Sequence, residues 1–96
     1  MGEGEQLGEA AATEQLSSSP GATVELPCRL APAEQLTWSR PGGRLPARAR
    51  QLRGGAVLRL EEVRAEDSGR YVCTSGRGRE QYVTLTVQSE YTLMLN

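Results

Sequence analysis

Apolar and polar residues alternate along several short segments of this chain. In the first of them, Val24, Leu26, Cys28 and Leu30 are separated by polar or small residues. A period of two places successive side chains on opposite faces of a β-strand. The pattern therefore predicts strands with one buried face over the segments 22–30, 35–40, 56–60, 69–75 and 81–87.

Turn-forming residues separate the predicted strands. Ser17-Ser18-Ser19-Pro20-Gly21 precedes the first strand, Arg40-Pro41-Gly42-Gly43 follows the second, and Gly76-Arg77-Gly78-Arg79 separates the last two. Residues 44–53 are rich in Arg and Pro, and we expect only weak edge strands there. Regularly spaced strands with turns between them and no helical period indicate an all-β fold, either a sandwich or a small barrel.

The two ends of the chain depart from this pattern in different ways. Residues 1–13 are rich in Glu, Gly and Ala, which predicts an acidic arm or linker before a domain over residues 14–88. The tail 89–96 is apolar and strand-like, and we expect it to pair along a sheet edge. The first strand of the domain is either missing, which would leave a sheet edge open, or short and formed by residues 13–18.

Composition limits the chemistry available to the chain. It has 96 residues and a formal net charge of −1, with 11 basic residues that are all Arg, and this balance argues against a dedicated nucleic-acid binder. There is no His for acid–base catalysis or metal ligation, and two core Cys cannot form a zinc site alone. We therefore predict no enzyme activity, cofactor or metal, and no apolar run is long enough to span a membrane.

Three residues form a frame across the predicted sandwich. The two sheets of a sandwich pack about 10 Å apart, so one side chain from each sheet can meet across the gap. Cys28 and Cys73 lie on facing strands and are placed to meet in this way, with Trp38 packed over them. We assign these three residues a structural role.

The segment 67–73, Asp-Ser-Gly-Arg-Tyr-Val-Cys, forms the corner before the second Cys. Gly69 belongs to this structural corner, and Tyr71 is placed to return its hydroxyl to the backbone. We expect the Asp67 carboxylate to pair with Arg50, or failing that with Arg48, and so to tie the bottom of the sandwich.

The frame resembles the intermediate (I-set) type of the immunoglobulin superfamily over residues 14–87. Cys28, Trp38 and the Asp-x-Gly-x-Tyr-x-Cys string at 67–73 occur in the order of that family. The stretches 21–24 and 65–69 are similar to those of giant sarcomeric and cytoskeletal immunoglobulin arrays, with obscurin and obscurin-like proteins nearest. Cell-surface modules often carry Ala-x-Asn-x-x-Gly after the second Cys, and its absence here favours the intracellular branch.

The resemblance implies an antiparallel two-sheet sandwich that serves as a cytoplasmic scaffold in the sarcomere, at its M-band. Its partner would be a titin- or myomesin-type filament protein, bound by β-strand augmentation at an open sheet edge. Cys28 and Cys73 would then be buried thiols, although an oxidising compartment would join them in a disulfide worth about 4 kcal/mol. The alternative is an extracellular adhesion or receptor module with that disulfide.

Candidate partner-binding residues lie in the last hairpin and the last strand. Arg77 and Arg79 lie in the predicted turn, where their guanidinium groups could pair or stack with a partner. Tyr82, Thr84 and Thr86 share the face of the last strand opposite its apolar side chains. Heparin or nucleic-acid binding through the Arg residues is a third hypothesis, weakened by the absence of Lys clusters.

Overall fold

A computed structural model describes residues 13–31 and 35–88, which form two β-sheets packed face to face. The first sheet has four strands, in the order β1 (Thr13–Ser18), β7 (Glu80–Val87), β6 (Gly69–Ser75) and β3 (Leu36–Ser39). The second has three, in the order β2 (Val24–Pro27), β5 (Val57–Leu60) and β4 (Arg50–Leu52). Short 3₁₀ turns lie at Arg53–Gly55 and Ala65–Asp67. The predicted all-β sandwich is confirmed. Of the arm predicted over residues 1–13, only Thr13 is described, as the first residue of β1, and the tail 89–96 lies outside the described residues.

The first strand is present. β1 pairs in parallel with β7, from Thr13 opposite Tyr82 to Ser18 opposite Val87, and every other strand pair is antiparallel. Of the two alternatives for the first strand, the short strand is therefore correct, and the edge of β7 is occupied. No side chain of β1 is fully buried, but Leu16 is partly buried and packs against the core.

The core lies between the sheets and consists mainly of inward-facing residues of β2, β3, β5, β6 and β7. In β7 these are Val83, Leu85 and Val87, which are buried at every second position as the period of two predicts. Trp38 is only 2% exposed, and its indole N–H donates to the carbonyl oxygen of Gly55 at 2.8 Å. That bond satisfies the one polar atom that the large ring brings into the core.

The two cysteines are bonded to each other. Cys28 follows β2 and Cys73 lies in β6, with their Cα atoms 6.0 Å apart, so the disulfide joins the two sheets. The expectation of buried thiols, which came from the resemblance to intracellular arrays, is therefore wrong for this structure.

The corner before β6 is held differently from the prediction. The Asp67 carboxylate accepts the backbone N–H of Arg64 at 2.8 Å, and within the described residues no ion pair joins it to Arg50 or Arg48. Arg48 pairs with Glu62 instead. Arg50 cannot reach the corner because it lies on the outer face of the three-stranded sheet, opposite Arg59.

Arg40 takes the position that the sequence suggested for Arg50. Its guanidinium donates to the carbonyl oxygens of Glu66 and Ser68, at 2.7 and 2.8 Å, and lies 5.3 Å from the centre of the Tyr71 ring. The Tyr71 hydroxyl donates to the Asp67 carbonyl at 2.6 Å, which is the return to the backbone expected from the sequence. Burial raises the pKa of the Tyr71 hydroxyl, so it stays neutral and keeps donating at physiological pH.

Gly69 has a backbone conformation that favours glycine, and it lies beside Arg40 at the corner. Its φ of +141° is one that residues with a side chain rarely adopt, and a Cβ there would lie 3.6 Å from the Arg40 guanidinium. The structural role assigned to Gly69 therefore has a physical basis in its own backbone.

Candidate protein-binding face

The outward side chains of β6 and β7 form one continuous surface. Tyr71 and Cys73 point into the core, so Arg70, Val72 and Thr74 at the alternate positions of β6 point outward. The same alternation applies on β7. We call this surface the β6–β7 face and define it by Arg70, Val72, Thr74, Glu80, Tyr82, Thr84 and Thr86. Of the residues predicted to bind a partner, Tyr82, Thr84 and Thr86 lie on this face.

The centre of the β6–β7 face is a cross-strand pair. Val72 lies opposite Tyr82 on β7 and opposite Ser39 on β3. Although it points away from the core, Val72 is only 5% exposed, because it is flanked on both sides. The partly exposed Tyr82 ring is therefore the main apolar group that this part of the face offers to a partner.

Two charged residues hold the Tyr82 ring. The Arg70 guanidinium lies 5.0 Å from the ring centre, within the range of a cation–π contact, and the Tyr82 hydroxyl donates to the Glu80 carboxylate at 2.7 Å. The pKa of the Tyr82 hydroxyl is raised, chiefly by that hydrogen bond, and the nearby Arg70 charge opposes the shift. Because the face of the ring and its hydroxyl both have partners, the Tyr82 side chain loses little conformational entropy on binding.

Arg77 and Arg79 lie beyond the end of this face, in the turn from β6 to β7. Their backbone N–H groups both donate to the Ser75 hydroxyl at 3.2 Å, and Ser75 in turn donates its backbone N–H to the Arg79 carbonyl. The turn is thus ordered, with both Arg residues exposed. Arg77 and Arg79 therefore lie apart from Tyr82, Thr84 and Thr86, at one end of the β6–β7 face.

Arg70, Val72 and Glu80 were missed as candidate binding residues. The signal was available, because once Tyr71 and Cys73 are taken as buried, the period of two places Arg70 and Val72 on the opposite face. The contact between Arg70 and Tyr82 depends on the register of β6 against β7, which alternation alone does not specify.

A glutamine closes one lateral side of the sandwich, where β1 and β7 meet β2. Gln81 is 3% exposed, its side-chain amide donates to the Pro27 carbonyl at 2.9 Å, and its side-chain oxygen accepts the backbone N–H of Arg29. A bidentate ion pair between Arg29 and Glu14, at 3.1 and 3.2 Å, links this region to β1. Since Pro27 has no N–H of its own, little of the β2 edge remains for another strand. We call this the Gln81 side.

A second glutamine closes the opposite side, where β3 faces β4. The exposed Gln51 side chain accepts the backbone N–H of Trp38 at 3.2 Å. Gly55 packs against the same strand so closely that a Cβ on it would lie 2.3 Å from the Leu36 carbonyl oxygen. We call this the Gln51 side. The open edge predicted for strand addition is thus occupied at β7 and partly covered at β2 and β3. β1 and β4 are the other two edge strands.

Two further kinds of feature are absent from the described residues. Across residues 13–31 and 35–88, no three His, Cys, Asp or Glu side chains come close enough to hold a metal ion. In the same part of the chain, no helix is long and apolar enough to cross a membrane.

Comparisons with known proteins agree on the fold. The family model described as "Immunoglobulin domain" matches residues 11–75. Contactin-5 of Danio rerio is 35% identical over 95 residues, covering 88% of this chain and 9% of that protein. Cell adhesion molecule DSCAML1 of Homo sapiens is 40% identical over 55 residues, covering 55% of this chain and 3% of that protein. This chain thus spans less than a tenth of these two relatives.

Among solved structures, a chain of the Titin M10–Obscurin like 1 Ig complex matches with a TM-score of 0.65 and 27% identity, over 79% of this chain and 87% of that chain. Likeness to the obscurin-like family thus rests on a structural neighbour, whereas the sequence relatives include a named cell adhesion molecule.

Proposed function

This chain belongs to the immunoglobulin-domain family, and on that premise we propose that it is a non-catalytic protein-binding module of an extracellular adhesion or receptor protein. The observation that carries the proposal is the Cys28–Cys73 disulfide between the sheets. Structural disulfides form and persist in secreted and cell-surface proteins and are rare in the cytosol. Similarity to a named cell adhesion molecule supports the same compartment.

We propose that the partner binds the β6–β7 face. Tyr and Arg are enriched in the residues that dominate protein interfaces, and here Arg70 already stacks on Tyr82. The surrounding Thr side chains are short, so a flat partner surface can approach the ring closely. Backbone edges contribute less in this proposal, because glutamine side chains satisfy an edge N–H on each lateral side.

A cell-surface binding array tests this function. The disulfide-bonded chain, presented as a fluorescent tetramer, is applied to cells that each display one extracellular immunoglobulin-type ectodomain. We expect binding to at least one ectodomain, weakened about tenfold or more by Tyr82→Ala or Arg70→Ala. Arg50→Ala and Glu25→Ala, on the outer face of the other sheet, are the matched controls and should bind normally. Failure to bind any ectodomain, or equal loss with the controls, would contradict the proposal.

A second candidate function is that of a cytoplasmic scaffold module that binds a titin- or myomesin-type filament protein. The observation in its favour is the structural match to the Titin M10–Obscurin like 1 Ig complex. β1, an exposed edge strand with no fully buried side chain, would be the place for strand addition. Thiol titration of protein isolated from its own compartment separates the two functions, since the extracellular module has no free thiol and the cytoplasmic one has two.

A further inference from the structure

We propose that a second copy of this chain docks on the β6–β7 face. This inference rests on the proposed function and names one partner for the same face. It follows from the way charge is arranged around the Val72–Tyr82 pair.

Opposite charges lie on the two sides of that pair. Arg70 is opposite Thr84, one step along the face in one direction, and Glu80 is opposite Thr74, one step in the other direction. One step is two residues, about 7 Å along a strand. The Tyr82 ring therefore lies between a positive end and a negative end of a single face.

Both charges keep unused bonding capacity. A guanidinium has five N–H donors, and stacking on Tyr82 uses its π-face rather than these donors. The Glu80 carboxylate accepts one bond from Tyr82, which leaves most of its lone pairs free. Among the ion pairs of the described residues, none includes Arg70 or Glu80. Each of these residues could therefore still form a bidentate pair across an interface.

A twofold axis makes this face complementary to itself. If two copies meet face to face about an axis that crosses the strands at Val72 and Tyr82, the positive end of each copy lies over the negative end of the other. Arg70 of each copy then lies over Thr74 of the other copy, one strand away from Glu80, so the long Arg70 side chain reaches the Glu80 carboxylate twice in one dimer. The two Tyr82 rings meet at the centre. A twofold axis parallel to the strands would instead place Arg70 over the uncharged Thr84 of the other copy. Charge complementarity therefore favours the axis that crosses the strands.

The flanking strands do not oppose this arrangement. The side chains that β1 and β3 add to the outer surface are Thr13, Gln15, Ser17, Thr37 and Ser39, all uncharged. Four strands at about 4.8 Å spacing give a face of roughly 400 Å², about half the area that each partner of a standard interface buries. We therefore expect a weak, reversible dimer whose formation depends strongly on the two charge pairs.

Analytical ultracentrifugation of the disulfide-bonded chain, from about 10 µM to 1 mM, tests the proposal. The wild type should show a monomer–dimer equilibrium. Arg70→Glu and Glu80→Arg should each weaken dimerisation at least about tenfold, because each places two like-charge pairs in the interface. An equimolar mixture of these two variants, or the double variant, should recover most of the lost affinity, because every pair is again opposite in sign. Arg50→Glu and Glu25→Arg, on the other sheet, should leave dimerisation unchanged.

Three results would overturn the inference. They are a wild type that stays monomeric at 1 mM, charge reversals on the face that act no differently from the two controls, and a mixture that fails to recover affinity. Thermal unfolding first checks that each variant is folded, and only folded variants are compared. If the wild type is monomeric but ectodomain binding still depends on Tyr82, the second copy is the wrong partner and the proposed function stands. If ectodomain binding is also absent, both proposals fail.

Discussion

The two lateral sides of the sandwich are both closed by a glutamine, but the two glutamines differ in burial. On the Gln81 side, the amide is buried and makes two hydrogen bonds to the edge of β2, and β1 closes β7. On the Gln51 side, the amide is exposed and makes one bond to Trp38. Gly55 also packs closely against the Leu36 backbone on that side.

The comparison shows two ways to protect a sheet edge from unwanted pairing. A side-chain amide carries the same donor and acceptor as a peptide group, so it can take the place of a missing strand. A buried amide contributes more to stability, because its removal leaves backbone groups without a partner or water. Where the residue that carries the amide is exposed, water can take its place more readily, and we expect the glycine contact to contribute more.

The largest effect is expected at the glycine of the Gln51 side. Gly55→Ala should lower the free energy of unfolding by about 3 kcal/mol or more, because the new Cβ meets the Leu36 carbonyl and the backbone is held at a positive φ. Gly54→Ala is the matched control, since φ is also positive there but nothing lies within 4 Å of its Cβ, and it should cost only about 1–2 kcal/mol. Urea denaturation measures both, and equal costs would show that the close contact is not important.

Removal of the buried amide should have the next largest effect. Gln81→Ala leaves the Pro27 carbonyl and the Arg29 N–H without their partner and should cost about 2–3 kcal/mol in urea denaturation. Amide hydrogen exchange at Arg29 should accelerate in the same variant. A cost below that of Gln51→Ala would reverse the comparison.

The exposed amide should matter less. Gln51→Ala removes one hydrogen bond to Trp38 in a place that water can reach and should cost about 0.5–1 kcal/mol. The Trp38 amide should exchange faster in this variant, while Arg29 stays protected. Loss of protection at both amides would mean that the two sides are not independent.

The ion pair on the Gln81 side should have the smallest effect. Arg29 and Glu14 are joined at the surface, where salt screens charge, so Glu14→Gln should lower the unfolding midpoint only slightly at low ionic strength. The difference from wild type should disappear at about 1 M salt. A difference that persists at high salt would show that Glu14 contributes packing rather than charge.

Much of the fold follows from the alternation of apolar residues, as in β7, where Val83, Leu85 and Val87 mark the buried face. Gln81 lies in the same phase, and a polar residue at an inward position indicates a buried hydrogen bond, so one of the two closures was open to prediction. The closure by Gln51 could not be predicted, because nothing in the short β4 segment gives its register or its distance from Trp38.

Two further errors have different causes. The partner of Asp67 was sought among Arg residues of the 48–53 segment, yet the sequence does not say which guanidinium a turn will bring to the corner, and Arg40 occupies it. The redox state of Cys28 and Cys73 was inferred from a family likeness rather than from the geometry of the pair, which allows the disulfide.

The central claim is that a partner binds the β6–β7 face and not an edge, and an amide map of the complex tests it most directly. The ¹⁵N-labelled, disulfide-bonded chain is titrated with the ectodomain that it binds, and backbone chemical shifts are followed. We expect the largest changes at Arg70, Tyr82 and Thr84, with Arg29 and Trp38 unchanged. Changes confined to β1, Arg29 or Trp38, with the face unaffected, would contradict it.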